Sequence, residues 1–308
     1  MRTKLAQECE VNMREKPFSK FQILANLTMI IWTLVVILPF LLLFMSSVTD
    51  ENTLVANGYS FFPAKFSLAA YTYIIRSGEK ILKAYGISIL VTAVGTFLNV
   101  LLSALMAYPL SIKKLPGKNL MNFFVFFTML FNGGIVPAYL MWTGTFHIKD
   151  TIWAQLLPNL LLSAWNVMMI RTYFITSIPD SLYEAAEIDG AHQLKIFSSI
   201  VIPLGKPILV TMGTFAGLSY WNDWTNGLYF LVKNQNLYNV QNLLNQMVSN
   251  IQYLATSTNS NVTSAASNLP STAIQMAIAF VAILPIMLIF PSFQKYYSKG
   301  LTLGGVKG

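Results

Sequence analysis

The sequence predicts an all-α integral membrane protein with six transmembrane helices, and three observations carry that prediction. Only 10% of its 308 residues are charged while 55% are hydrophobic, whereas soluble domains carry about 25% charged residues. Apolar runs nearly free of charge recur at about 23–47, 86–111, 120–142, 152–174, 207–231 and 271–293, each near the roughly 20 residues that a bilayer core requires. Lys and Arg are divided unequally between the connecting segments, fourteen on the side of the N-terminus and six on the other. Excess cations mark the cytoplasmic side, so both termini are expected inside. The net charge of +8 then follows from topology and calls for no nucleic-acid partner.

Each element has a local reason. Residues 1–20 read as a basic cytoplasmic tail, residues 21–294 as the transmembrane domain and 295–308 as a second cytoplasmic tail. The first apolar run starts after about twenty polar residues and is too long for a cleavable signal peptide, so it is expected to remain as a span. A loop over 49–85 carries Tyr59, Phe61, Phe62, Tyr71 and Tyr73, an aromatic set suited to the membrane interface. The second run ends in Ala107-Tyr108-Pro109-Leu110-Ser111, and Lys113, Lys114 and Lys118 mark a short inner loop. In the third run, Phe131-Asn132-Gly133-Gly134 precedes Pro137. Such a string fits either a broken helix or a close helix crossing. Arg171 closes the fourth run as a topological anchor.

Between the fourth and fifth runs lies the most polar and most helix-specific stretch, 177–207. Ser177 with Asp180, or Ser181 with Glu184, fits a capping box, and Pro179 suits a first turn. Ala185, Ala186 and Glu187 propagate a helix that Gly190 is placed to end in a left-handed cap. Phe197, Ile200, Val201 and Leu204 then recur at helical spacing, with Pro203 and Pro207 limiting the extension.

The fifth run contains Trp221-Asn222-Asp223-Trp224. At 1.5 Å per residue, Asp223 falls about 24 Å along a helix from Pro207, toward the outer leaflet. Trp221 and Trp224 are three apart and are expected to share one face. Two readings fit: indole rings and amides lining a sugar pathway, or an interfacial aromatic belt. Leu237, Val240, Leu244 and Val248 suggest an amphipathic helix, and 255–268 is Ser/Thr/Asn-rich and loop-like.

Glu184-Ala185-Ala186, then Asp189-Gly190-Ala191, then Phe197, Ile200 and Pro203 closely resemble the EAA motif of bacterial ABC importer permeases. Over nearly its full length the chain resembles the maltose-type carbohydrate branch, with Pro109 and Gly227-Leu228 as departures. The resemblance implies a type I ABC importer permease fold in a bacterial cytoplasmic membrane. The 177–207 loop would be the coupling helix that docks on a cytoplasmic ATPase, through Glu184, Ala185, Ala186, Asp189, Gly190 and Ala191. Trp221, Asn222, Asp223 and Trp224 become candidates for the substrate pathway. The glycine-rich end, with Gly304, Gly305 and Lys307, resembles a tail inserted along the ATPase interface, or is a frayed terminus. The string around Gly133-Gly134 is familiar from permeases for larger or acidic oligosaccharides. The implied partners are a second permease, two ATPase subunits and an extracytoplasmic sugar-binding protein, with sugar as substrate and lipid as surroundings.

No chemistry resides in the chain itself. Gly117-Lys118 and Gly205-Lys206 are followed by Asn119 and Pro207, so no Walker A loop exists. ATP and Mg are therefore expected on the partner ATPase, and this chain is expected to hold no cofactor. His147 and His192 are far apart, Cys9 stands alone in the tail, and no metal set or catalytic constellation emerges. The alternative is a secondary transporter driven by an ion gradient, which calls for ionisable groups near the membrane midplane.

Overall fold

The computed structural model describes residues 20–76, 78–256 and 271–302. Helices follow in the order α1 (Lys20–Ser47), α2 (Glu51–Asn57), α3 (Ala69–Arg76), α4 (Gly78–Ser111), α5 (Lys118–Leu130) and α6 (Ile135–Leu140). Then come α7 (Trp153–Leu156), α8 (Ala164–Ser177), α9 (Asp180–Ile188), α10 (Gln193–Ile196) and α11 (Ile202–Leu204). The series ends with α12 (Lys206–Trp221), α13 (Thr225–Phe230), α14 (Val240–Thr256) and α15 (Ser271–Thr302). Among the described residues, three helices are long and apolar enough to cross a membrane, or five when each sharply bent pair is taken as one span.

The described parts of Met1–Tyr71 and Pro270–Phe280 form one compact unit, and those of Thr72–Leu269 and Val281–Gly308 the other. In the first unit, α1 is apolar on every face, with Phe21 81% and Trp32 64% exposed. A helix greasy all round belongs in lipid. The Glu51 carboxylate accepts the Thr272 and Ala273 N–H groups at 3.0 and 2.8 Å and so caps the start of α15. Phe44 packs on Phe280 with ring centroids 4.9 Å apart.

The second unit is built on α4, which packs most extensively against α12 and α8. Small residues let the α4 and α12 backbones approach. Gly217 lies over Thr96 and Thr92, and Gly213 over Val100. Gly95 lies directly under the Tyr220 ring, where an added Cβ would come within 2.4 Å of ring carbon. The Gly213–Gly217 spacing, four apart on one helical face, is the sequence signal for this seam.

The apolar windows read from the sequence are not six uninterrupted helices. In 120–142 the chain breaks at Phe131–Gly134 and bends by 110° between α5 and the helix beginning at Ile135. The Asn132 side chain accepts the Gly134 N–H at 2.9 Å, and Gly134 adopts φ +87°. A Cβ at Gly133 would meet nothing within 4 Å, so within this chain the glycines serve a break and not a crossing. The 152–174 window is helical only as α7 and α8, with 157–163 irregular between them.

Backbone freed from a helix inside a membrane protein needs other partners. Three different elements supply them. Tyr220 Oη donates to the Leu156 carbonyl at 2.9 Å, Asn226 Nδ2 to Pro158 at 2.9 Å and Asn99 Nδ2 to Leu160 at 2.7 Å. Asn166 then donates to Asn99 Oδ1 at 2.8 Å. Arg171 does more than anchor: its Nε donates at 3.0 Å to the Leu110 carbonyl, an unpaired group of the last turn of α4.

Candidate functional site

The 177–207 stretch folds as predicted in outline and departs in detail. Helix α9 begins at Asp180 with Pro179 as an extended N-cap, and neither proposed capping box forms. Asp180 instead pairs with Lys113 across the loop, which takes up the carboxylate a capping box would need. At the other end, the Gly190 N–H bonds the Glu187 carbonyl at 3.0 Å and the Ala191 N–H bonds Ala186 at 2.9 Å. Gly190 holds φ +76°. That pair of bonds is the Schellman closure, which glycine makes without a Cβ clash.

After the turn, α10 passes into a π turn over Phe197–Val201 and then α11. Pro203 does not end this segment; the chain continues through a 79° bend into α12. Where the bend sits, an added Cβ on Gly205 would lie 2.6 Å from the Phe174 ring.

The base of the loop is clamped. Ala186, Ile196, Phe197 and Val201 are buried in one cluster with Tyr108, Leu110, Tyr173 and Phe174. Tyr108 Oη donates to Gln193 Oε1 at 2.5 Å, and Gln193 Nε2 donates to Glu187 at 3.2 Å. Burial pushes the Tyr183 phenol up to about 12, so it stays neutral across the physiological range. The tip is open: Glu184, Ala185, Asp189, Gly190 and His192 are exposed, with Ala191 half-buried. Ile188 is 86% and Leu194 68% exposed. The two alanines of the triplet therefore do different work. Ala186 lets α9 lie on the chain's own core, and Ala185 faces away from it. Ile188 and Leu194, which the sequence reading did not single out, give the tip an apolar surface.

The Trp221-Asn222-Asp223-Trp224 group is separated by the fold. Helix α12 ends at Trp221, so the helical relation expected to put both indoles on one face does not hold. Trp221 is buried at 8% exposure, its indole N–H donating to the Ala282 carbonyl at 3.2 Å. Asp223 Oδ1 accepts the Thr225 and Asn226 N–H groups at 3.1 and 3.3 Å, capping α13. Asn222 and Trp224 are exposed. Gly304, Gly305 and Lys307 lie outside the described residues, as do the 1–19 tail and 257–270. Among the described residues, no cluster of His, Cys, Asp or Glu suited to a metal ion occurs.

These features define a multi-pass helical membrane protein carrying a solvent-exposed helical peg between α8 and α12. Residues 90–303 match the family of binding-protein-dependent transport system inner membrane components, and the chain belongs to it. It is a permease component, and ATP hydrolysis in such systems belongs to a separate subunit. The ion-gradient-driven alternative falls away with that membership. The chain is 35% identical over 280 residues to the polygalacturonan/rhamnogalacturonan transport system permease protein YtcP of Bacillus subtilis, covering 91% of this chain and 96% of that one. It is 26% identical over 305 residues to the arabinooligosaccharides transport system permease protein AraQ of the same species, covering 96% and 100%. In fold it is similar to a chain from the crystal structure of a bacterial ABC transporter involved in the import of the acidic polysaccharide alginate. That likeness has a TM-score of 0.76 at 24% identity and covers 92% of this chain and all of the other.

Proposed function

We propose that this chain is one of two permeases in an ATP-driven oligosaccharide importer, with both termini cytoplasmic and the α9–α10 peg seated on a cytoplasmic ATPase. The observation that carries the reading is the division of the peg into a clamped base and an open tip. A lever must be stiff where it joins the bundle and free where it is pushed. Glu184, Ala185, Asp189 and the neighbouring Ile188 and Leu194 form the face offered to the ATPase, while Ala186, Gly190 and Ala191 fix its shape. Closure of the ATPase pair would carry the peg, and the 79° bend at Gly205 would pass that motion to α12.

The oligosaccharide class rests on what the relatives are named for. Substrate would be delivered by an extracytoplasmic binding protein and pass between this chain and a second permease. Asn222 and Trp224 are the members of the aromatic group open to it; Trp221 and Asp223 act as structural ties. The coupling test is Glu184→Lys, with uptake and binding-protein-stimulated ATP hydrolysis measured in the assembled transporter. Both are expected to fall at least about tenfold while assembly is unchanged, since reversing one buried interfacial charge costs a few kcal/mol. Wild-type uptake in that variant would remove Glu184 from the contact.

A further inference from the structure

At the far end of α4 from the peg, about 50 Å along the helix, lies a cavity of about 700 Å³. One wall is Arg76 with the first turns of α4, which carry Glu79, Lys80 and Lys83; the other is the turn at Gln235–Leu237 with α14. The walls are tied where Ser88 Oγ on α4 accepts the Val240 N–H at 2.9 Å, and Gln155 Nε2 on α7 holds the turn from behind by donating to the Leu237 carbonyl.

Its charge is unbalanced. Glu79 is taken up by Lys83 at 2.8 Å. Among the described residues, no ion pair engages Arg76 or Lys80. The opposite wall adds no charge: beside Tyr238, Leu243 and Met247 it carries the amides of Gln235, Asn236, Gln246 and Asn250, which can both donate to and accept from hydroxyls. Two free cations facing a row of amides are matched by a ligand with a carboxylate on one side and hydroxyls on the other. Concavity also matters: the volume falls within the roughly 300–1,000 Å³ of small-ligand sites, whereas a docked protein surface needs no such hollow.

We propose that this cavity is an entry subsite for uronic-acid units, making the permease selective for carboxylate-bearing oligosaccharides before they reach the pathway. Arg76 and Lys80 hold the carboxylate, and the amides read the hydroxyls. The inference rests on the importer reading above and deepens it.

The test uses the assembled transporter in lipid nanodiscs without its binding protein. Trigalacturonate is the acidic probe and galactotriose the neutral one, with equilibrium binding measured at low and high salt. The wild type should bind trigalacturonate and not galactotriose, and salt should weaken that binding. Arg76→Gln and Lys80→Gln should each weaken it about tenfold, the loss expected for one charge-assisted contact. Equal binding of the two sugars, or no change in either variant, overturns the proposal. So does loss of binding-protein association in the variants with sugar binding intact, which would make the cavity a protein-docking surface. ATP hydrolysis stimulated by the binding protein is measured on the same samples. Its absence in the wild type would sink the importer reading itself, whereas its presence without uronate preference sinks only this subsite.

Discussion

Two regions packed on α4 are built by opposite means. At the tip of the peg, order comes from neighbours in sequence: a six-residue turn, 186–191, closed by backbone bonds at Gly190 and Ala191. Along the middle of α4, around Gly95 and Asn99, order comes from side chains reaching across the fold. Carbonyls of the irregular 157–163 segment and its flanks are met by Asn99, Tyr220 and Asn226, each more than sixty positions away. Asp150 similarly gathers the Val232, Lys233 and Asn234 N–H groups on one carboxylate oxygen at 2.7–3.2 Å. In the proposed coupling role the peg needs a shape it keeps while displaced, which local closure provides. A membrane-embedded break needs partners from elsewhere, because its own helix no longer supplies them.

That contrast can be broken by substitution. Damage at the peg should cost coupling more than stability, and damage at the cross-fold ties the reverse. Gly95→Leu should have the largest effect, since the new side chain displaces the Tyr220 ring from α4. Overpacking of this kind costs about 3 kcal/mol, read as a lower melting temperature and reduced membrane-inserted protein. Asn99→Leu leaves both the Leu160 carbonyl and Asn166 without a partner, a loss of about 2 kcal/mol. If both substitutions left thermal stability unchanged, the ties would be incidental.

Gly190→Val comes next. It forces a β-branched residue to φ +76° at a strain of about 1–2 kcal/mol. Protein levels should hold while binding-protein-stimulated ATP hydrolysis drops, and a drop in both would mean that the turn supports the whole fold. The smallest effect concerns Asp150. Backbone N–H groups, that of Lys233 foremost, hold its carboxyl below the usual carboxylate range. A carboxyl depressed in the folded state stabilises at pH above its unfolded value, about 3.9, and this contribution is lost as pH falls through the lower folded value. Amide exchange at 232–234 should therefore be flat from pH 8 to 5 once intrinsic rates are removed, and rise only below about pH 4. In Asp150→Ala it should be raised at every pH.

The composition and the long uncharged runs determined the membrane class, because expelling apolar surface from water does not depend on how the chain is later arranged. The peg was legible for a related reason. Gly190, the alanine pair and the spacing of Phe197 and Val201 act on residues within one or two helical turns, so their meaning survives in a linear reading. Its N-terminus was misread because Lys113, distant in sequence, claimed the Asp180 carboxylate that local rules assign to a capping box. The shared face expected of Trp221 and Trp224 fails because α12 stops at Trp221, whose indole is tied to the Ala282 carbonyl. Only the tertiary structure decided which glycines break a helix and which admit a neighbour. It also brought Arg76 and Lys80 to face amides some 160 positions away. Hydrogen bonds and charges act through space, and a sequence records neighbours along the chain alone.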